Sequence, residues 1–352
     1  MKAVMPSNWI RFAYVAAVLS LPLRLSAADG DDGGMARWLG PQTWERDVDG
    51  PVVSLGESGA FDDTHLFAPC VMCERDRYWL WYCGSRGTVA ERVMRMGLAT
   101  GDDGRAFAKH ADSPVFEFGD GRRSVLTPTI LKDTSGLPLR EQGRLRMWFS
   151  ATDFTDPTGR HTLHETTSED GLRWSPPSAA QLEHVYAPTV VRDENGYQLW
   201  YSDVSREPWI IRHAASPDGK SWRVTEKPVV VSSQPWEKGR LFYPAVIRVD
   251  GLFLMWYGSY WRDQPNKTAI GFAVSADGLE WHKSSHNPVL RPDPERAWES
   301  HYTTSQSVIR LPDGSFRIWY ASRKAPPFRN KYFAIGTARW PGPTPPDAGK
   351  PE

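Results

Sequence analysis

Short apolar runs, each bounded by Gly, Asp or Pro, repeat along most of the chain. The most complete set lies between Pro244 and Leu290. There a Pro-led apolar run is followed by an aromatic run ending in Trp-Tyr, an Ile-Gly-x-Ala run, and a Ser-x-Asp-Gly-x-x-Trp turn that leads to Asn-Pro-Val-Leu. Runs of this length, separated by such residues, are typical of β-strands. Because Asp-Gly favours the tight turn between antiparallel strands, the segment predicts a four-stranded meander.

An aromatic pair recurs five times and sets the number of repeats. Its intervals of 52 to 67 residues are typical of propeller blades with loops of variable length. An apolar run precedes each pair, and an Asp-Gly turn follows four of them. We interpret the aspartates of these turns as structural, because Asp at that position forms the turn itself. The five pairs are Trp81-Tyr82, Trp148-Phe149, Trp200-Tyr201, Trp256-Tyr257 and Trp319-Tyr320.

The fifth repeat ends early, and its missing piece lies near the start of the chain. After Ala338 there is no turn, only a Pro-rich tail over residues 341–352. Trp44 and Pro51 have the same spacing as Trp281 and Pro288 of the complete repeat. The sequence therefore predicts an all-β fold over residues 44–340, a five-bladed β-propeller of four-stranded antiparallel blades. The N-terminal strand completes the last blade and closes the ring, which removes exposed sheet edges. A two-domain or sandwich arrangement explains the five-fold period poorly.

The first 28 residues match a secretory signal peptide. Positive charge at Lys2 and Arg11 precedes an apolar run, and small residues follow it at 26–28. The apolar run, 12–23, is shorter than the roughly 20 residues that span a bilayer, so an uncleaved anchor is the less favoured alternative. We expect a secreted or periplasmic protein without a membrane span after cleavage, and a flexible leader over residues 29–43.

Composition narrows the choice of partner and cofactor. The 42 Lys and Arg balance the 42 Asp and Glu, so the basic surface typical of nucleic-acid binding is not expected. The three cysteines allow a disulfide between Cys70 and Cys83, neighbours in a predicted hairpin, or simply small buried residues. A zinc site is not expected, because Cys70, Cys73 and Cys83 supply only three of the four ligands that such a site usually has. The sequence predicts a monomer and no cofactor, and leaves open a structural or substrate-bridging divalent cation.

Propeller topology places the candidate chemistry on one rim. The first strand of each blade lines the central channel and the second returns beside it. Loops leading into first strands and loops following second strands therefore share a rim. That rim is rich in polar and aromatic residues, which predicts a cleft for a carbohydrate or an anionic ligand. Besides the site candidates named below, it contains Asp62, Ser85, Arg122, Asp153, Arg206, Tyr260, Asp263, Tyr302, Arg323 and Lys324. We assign His161 and His164 to a third strand, as packing or edge residues.

The repeat resembles that of the five-bladed glycoside hydrolases. These include the arabinanases and xylosidases of family 43, the invertases and levansucrases, and the mannoside phosphorylases of family 130. Residues 61–65 and 236–240 are similar to the W-D/E-x-x-H motif that precedes the first-strand Pro in uncharacterised secreted members. The resemblance implies a glycosidase acting on a plant, algal or microbial glycan. However, the family's aspartates before the Pro of blades one and two are Ala68 and Thr127 here. Its general acid, two residues before the Pro of blade three, is Tyr186.

Catalytic candidates must therefore come from elsewhere on the rim. Glycoside hydrolysis usually needs two carboxyls, one protonated and one ionised. We propose Asp63, Glu183 and Asp203 as catalytic candidates, with Glu237 and Glu299 behind them. Arginines here suit a uronate or sulfated sugar, because guanidinium binds such anions bidentately, and Trp261 suits sugar stacking. The substrate-binding candidates are His65, Arg86, Arg123, His184, Tyr186, Arg240, Tyr243, Trp261, Arg262, Glu299 and His301.

Two other functions remain open at this point. The missing family carboxylates favour a non-catalytic propeller that binds a glycan or a protein. The turn sequences approximate the Asp-box of sialidases, but the blade count and the Asp-Gly spacing argue against a sialidase.

Overall fold

The computed structural model describes residues 1, 32–262, 264, 267–326 and 334–343. The predicted signal peptide beyond Met1, the tail residues 344–352 and the rim residue Asp263 lie outside the described residues. Every strand belongs to one compact unit, Gly33–Glu352. No helix in the described part of the chain is long and apolar enough to cross a membrane.

The described chain is all-β, with little helix. A short helix α1 (Asp32–Ala36) is followed by a 3-10 helix (Arg37–Leu39), and a second 3-10 helix spans Ala297–Glu299. In chain order the strands are β1 (Val53–Ser54), β2 (His65–Glu74), β3 (Arg77–Ser85), β4 (Arg95–Gly101), β5 (Ala108–Lys109), β6 (Ser124–Ile130), β7 (Leu145–Thr152), β8 (Thr162–Ser168), β9 (Leu182–Glu183), β10 (Val185–Asp193), β11 (Gly196–Asp203), β12 (Ile210–Ser216), β13 (Arg223–Val224), β14 (Glu237–Val249), β15 (Leu252–Trp261), β16 (Thr268–Ser275), β17 (His282–Lys283), β18 (Tyr302–Arg310), β19 (Phe316–Arg323) and β20 (Ala334–Trp340).

The strands form antiparallel four-stranded groups, as the repeat predicts. Sheet one is β2–β5, sheet two is β6–β9 and sheet three is β10–β13. Sheet four, β14–β17, covers the segment that is the most complete repeat in the sequence. Sheet five consists of β18, β19 and β20, with β1 paired to β20 through Val53 and Ile335. One parallel pair, Thr268 with Tyr302, links sheets four and five.

Residues from β2, β6, β10, β14 and β18 line a common cavity. Strands β2, β6, β10, β14 and β18 each contact the next, and β18 contacts β2. All five line a cavity of about 70 Å³. Each first strand bulges at one equivalent residue, which has positive φ although it is not glycine, and the ladder register shifts there. Such residues are uncommon, and bulges redirect side chains. The five residues are Ala68, Thr127, Ala187, Tyr243 and Ser305.

Tryptophans of the second strands tie neighbouring sheets together. In four of the five sheets the indole N–H donates to the glycine carbonyl of the Asp-Gly turn that follows the third strand of the next sheet. The turn glycine has positive φ, and an added Cβ at Gly278 would lie 2.7 Å from the Trp200 ring, so only glycine fits. The repeated Trp and the repeated Gly are therefore partners across a sheet boundary. The bonds are Trp81 to Gly171 (3.0 Å), Trp148 to Gly219 (2.9 Å), Trp200 to Gly278 (2.8 Å) and Trp319 to Gly104 (2.9 Å).

Sheet five has no Asp-Gly turn after its third strand, β20, and the side chain of Gln42 provides the acceptor instead. Gln42 Oε1 accepts from Trp256 Nε1 at 3.1 Å and from Trp44 Nε1 at 3.0 Å. Gly278 O accepts from Trp200 and Trp281 in the same way at 2.8 and 2.9 Å. The N-terminal segment thus supplies both the last strand and the missing acceptor.

Part of the predicted flexible leader, residues 29–43, is packed instead. Trp38 is 1% exposed and lies edge-on to Phe316 and Trp340. The prediction is wrong for this part because burial of the indole outweighs the ordering of a short polar segment.

Candidate functional site

An aromatic residue and a carboxylate clamp the loops that lead into three first strands. In sheet one Phe61 lies over Gly97, where an added Cβ would be 2.6 Å from the ring, and Asp62 accepts from Tyr82 Oη at 2.9 Å. Lys109 Nζ completes the group 2.5 Å from Asp62. Sheet four repeats the arrangement with Trp236, Glu237, Tyr257 and Lys283, and sheet five with Trp298, Glu299, Tyr320 and Arg46. We call these three groups the clamps.

Two of the clamp carboxylates, Glu237 and Glu299, were secondary catalytic candidates in the sequence analysis, and their contacts indicate a structural role instead. Glu237 is fully buried and accepts from Tyr257 Oη at 2.7 Å, from Lys283 Nζ at 2.6 Å, and from the backbone N–H groups of Ser233 and Gln234. The pKa of Tyr257 lies well above its usual value, mainly because of burial and secondly because of the adjacent Glu237 carboxylate. The Tyr257 hydroxyl therefore keeps its proton and remains a hydrogen-bond donor. Glu237 therefore holds a loop in place.

Glu299 is likewise fully buried, and it is bonded to Tyr320 and ion-paired with Arg46 at 2.7 Å and Arg296 at 2.6 Å. Burial outweighs the neighbouring cations and raises the pKa of this carboxyl. The prediction that Glu299 binds substrate is not supported by this placement, because its oxygens face the protein interior.

Sheets two and three lack the clamp, and Asp203 lies in this region. The positions equivalent to Gly97 are His164, opposite Phe149, and Arg212, opposite Tyr201. Arg212 Nε donates to Asp203 Oδ2 at 2.8 Å. Burial opposes ionisation of Asp203, but hydrogen bonds from Ser205 and Arg212 outweigh it and leave its pKa below the ordinary value. This candidate is therefore an ionised base and not a proton donor.

The other two catalytic candidates belong to separate local networks. Asp63 accepts from Gly59 N and Thr64 Oγ1, each at 2.8 Å, and the Gly59 bond followed by the Thr64 bond lowers its pKa. Glu183 is exposed on the edge strand β9, where Arg160 is 3.0 Å away. Among the described residues, no hydrogen bond joins any two of Asp63, Glu183 and Asp203.

The side chains that do meet lie where the first strands begin. Tyr186 and Tyr243 share a hydrogen bond between their hydroxyls at 2.5 Å, with ring centroids 5.3 Å apart. The Tyr186 ring also contacts His161 at 5.0 Å and Trp209 at 5.9 Å. Phe242, Tyr260 and Tyr302 extend this group, which we call the mouth cluster. Burial raises the pKa of Tyr186 and of Tyr260, so these phenols are neutral.

Arginines border the mouth cluster. The guanidinium of Arg240 lies 4.5 Å from the Trp209 ring centroid, and that of Arg323 lies 5.1 Å from Tyr302. Arg92 stacks on Phe154, which packs against the same cluster. Arg240 also pairs with the exposed Glu207. The mouth thus brings aromatic rings, neutral hydroxyls and cations together, with Tyr186, Tyr243 and Tyr302 each less than a tenth exposed.

Sequence comparison relates this chain to a few known proteins. No protein-family model matches the chain. An uncharacterised protein of Mycobacterium tuberculosis is 25% identical over 239 residues, which are 64% of this chain and 76% of that protein. The A type blood N-acetyl-alpha-D-galactosamine deacetylase of Flavonifractor plautii is 24% identical over 302 residues, 83% of this chain and 30% of the deacetylase.

Solved structures give the fold. A glycoside hydrolase superimposes with a TM-score of 0.69 at 15% identity, over 89% of this chain and 95% of the hydrolase. The chain shares the fold of the propeller glycoside hydrolases. A glycoside hydrolase from the GH130 family of mannoside phosphorylases and a thermostable family-43 glycoside hydrolase have the same fold, with TM-scores of 0.62 and 0.59. The predicted resemblance is confirmed at the level of the fold.

Within this propeller glycoside hydrolase fold, only part of the predicted binding set meets at the mouth. Tyr186, Tyr243 and Arg240 do, through the ring contacts above. His65 is buried beside Ser85 Oγ at 3.4 Å, and His184 has a φ of 62° just before β10. Arg86 is exposed after β3.

The remaining predicted residues have other partners. Arg123 stacks on Phe118 at 3.7 Å, and His301 Nδ1 is 3.0 Å from Ser300 Oγ. Trp261 lies under Arg291, whose guanidinium is 5.3 Å away, and Arg262 donates to the carbonyls of Pro235 and Glu237. Arg262 and Trp261 therefore support the leading loop of sheet four.

The sequence analysis missed several mouth residues. His161, assigned there to packing, contacts Tyr186, and Trp209, Arg92 and Phe154 join the same region. All four lie in loops after second strands, the location that the topology had indicated. Their variable positions within those loops left no repeat signal to identify them.

No metal centre is evident in the part of the chain that the structure describes. There, no three His, Cys, Asp or Glu side chains are grouped so that they could hold a metal ion. The cysteines Cys70, Cys73 and Cys83 are free.

Proposed function

We propose that the protein is an exported, glycan-acting enzyme of glycoside hydrolase type, and that the mouth cluster binds a sugar carrying a carboxylate or sulfate group. The observation that carries this proposal is the pairing of ring faces and neutral phenols with Arg240 and Arg323 at one end of the first strands. Aromatic faces accept the apolar face of a sugar ring. Guanidinium groups match planar anions bidentately.

The proposal includes a closed ring of five blades. The contact between β18 and β2 supports it, as does the bond from Trp319 in sheet five to Gly104 in sheet one. The pairing of β1 with β20 supports an N-terminal strand that completes the last blade. Such a ring brings loops from all five sheets to one mouth.

Asp203 is our candidate for the ionised catalytic carboxylate. It lies opposite Val185, and its neighbour Ser202 lies opposite Tyr186 of the mouth cluster. Its lowered pKa suits a base or a nucleophile. The deacetylase relative and the similar structure of an N-acetylgalactosamine deacetylase from F. plautii in complex with blood group B trisaccharide add support for a glycan ligand.

A non-catalytic glycan-binding propeller is the second candidate. The observation in its favour is that glycoside hydrolysis needs a protonated carboxyl. The pKa values of Asp63 and Asp203 are lowered, and Glu299, whose pKa is raised, is held in a clamp.

A screen of oligosaccharides separates the two candidates. The panel contains uronate-bearing, sulfated, acetylated and neutral glycans, and each is assayed for both binding and product release.

We expect Arg240→Met to weaken the binding of anionic glycans about 10- to 100-fold, since a charge-assisted hydrogen bond is worth about 1.5–3 kcal/mol. Binding of neutral glycans should be unchanged in this variant. Asp203→Asn should abolish turnover and retain binding, and Glu183→Gln, exposed and outside the mouth cluster, is the matched control. Full turnover in the Arg240 and Asp203 variants would refute the site. Binding without turnover of any glycan by the unaltered protein would favour the binding propeller.

A further inference from the structure

The cavity between the first strands is lined by a cation whose side chain is partly buried. Lys132, just after β6, is among the residues that line it. Its ammonium donates to Val71 O and, at 3.3 Å, to Ser307 Oγ. An ammonium has three N–H groups, so one remains for a ligand in the cavity.

Among the described residues, no carboxylate forms an ion pair with this ammonium. The residues lining the cavity include no Asp or Glu. Asp133, the next residue along the chain, accepts from Ser135 and from Leu137 N in its own exposed loop. Burial lowers the pKa of Lys132, which reflects the cost of an unpaired charge in this place. A buried charge normally has a counter-charge.

The cavity has both the room and the polar groups for a small ligand. Its volume of about 70 Å³ is several times the roughly 10–15 Å³ that one water requires. The Thr127 hydroxyl lines it, is buried, and has no hydrogen-bond partner among the described residues. Gln306 donates its amide nitrogen to Tyr243 O and Trp256 O, which leaves its Oε1 as a buried acceptor. Because Gln306 Oε1 needs a hydrogen-bond donor and an anion cannot supply one, we expect water to share the cavity with the ligand.

From this arrangement we infer that the cavity binds a small monovalent anion of the size of chloride, held by Lys132 and Thr127. The anion neutralises the buried ammonium and accepts the third N–H of Lys132. The site lies among the first strands, next to the proposed glycan-binding mouth, since Tyr243 lines the cavity and also belongs to the mouth cluster. The effect that we expect from the anion is on the stability of the fold.

Halide-dependent stability tests the inference. Melting temperatures are measured at constant ionic strength and pH 7 while sodium chloride replaces sodium gluconate, whose anion is much larger than chloride. We expect a saturable rise in Tm, about 5 °C at a hundredfold excess over Kd. Lys132→Met should abolish the rise, and Thr127→Val should shift the saturation point to higher chloride. Crystals soaked in sodium bromide should show an anomalous peak beside Lys132.

Two results would overturn the site. One is the same chloride dependence in the unaltered protein and in a folded Lys132→Met variant. The other is equal Tm in chloride and gluconate with water density in place of a bromide peak, which would show a hydrated cavity. Lys132→Arg, which retains the charge, guards against a trivial folding defect, and near-ultraviolet circular dichroism checks that each variant is folded.

Discussion

Replacing Glu237 by Gln distinguishes a structural carboxylate from a catalytic one. The change keeps the shape of the side chain and removes the charge that Lys283 Nζ meets at 2.6 Å. Glu237 is 0% exposed, so water cannot replace it. Breaking a buried ion pair by altering one partner costs about 3–5 kcal/mol. In a protein of this size 1 kcal/mol corresponds to about 2 °C, so Tm should fall by roughly 6–10 °C.

The assay is thermal unfolding followed by tryptophan fluorescence, alongside glycan turnover at 25 °C. Glu183→Gln is the matched control, because its ion pair with Arg160 is more than half exposed and such pairs are worth about 1 kcal/mol or less. The double variant Glu237→Leu with Lys283→Met should recover part of the loss, since it leaves no unpaired buried charge but still removes the acceptor of Tyr257 Oη and of two backbone N–H groups. If the Glu237→Gln protein had the same Tm as the unaltered protein but no glycan turnover, the structural role of Glu237 would be refuted. Glu237 would then be a catalytic candidate again.

Three further predictions concern the repeat. Gln42→Leu should lower the free energy of unfolding by about 2–4 kcal/mol in a urea titration, because it orphans two indole N–H donors, Trp44 and Trp256. Gly271→Ala should cost about 1–3 kcal/mol by the same measurement, since its Cβ would lie 2.7 Å from the ring of Trp236. Burial lowers the pKa of His213 to about 4, so the unfolded state binds its proton first as pH falls below about 6.5. Urea midpoints should therefore show a loss of about 3 kcal/mol between pH 6.5 and 4, reduced in His213→Gln.

Each of these tests has its own control. Gly50→Ala, where an added Cβ meets nothing within 4 Å, should leave stability unchanged. Gln42→Glu keeps an acceptor for both indoles and should cost less than Gln42→Leu. A decline between pH 6.5 and 4 that is as steep in His213→Gln as in the unaltered protein would assign the pH dependence to other groups.

The clamps show what the sequence contained but did not reveal. The cation of each clamp follows an aromatic residue by two positions, as in Phe107 with Lys109, Trp281 with Lys283 and Trp44 with Arg46. This pattern could have marked Glu237 and Glu299 as structural. Without the fold it looks like ordinary surface charge, because its partners come from loops and strands far apart in the chain.

The sequence by itself determined the four-stranded repeats, the turns between their strands and the N-terminal strand that pairs with β20. It could do so because strand alternation and Asp-Gly turns depend on residues within a few positions of each other. Only the tertiary structure decided which rim residues meet. In the folded protein Glu299 is buried and Asp203 accepts a hydrogen bond from Arg212. His161 and Trp209 contact Tyr186, which is bonded to Tyr243. The physical reason is that a carboxylate's role depends on its burial and its donors, and here those donors come from other strands and loops.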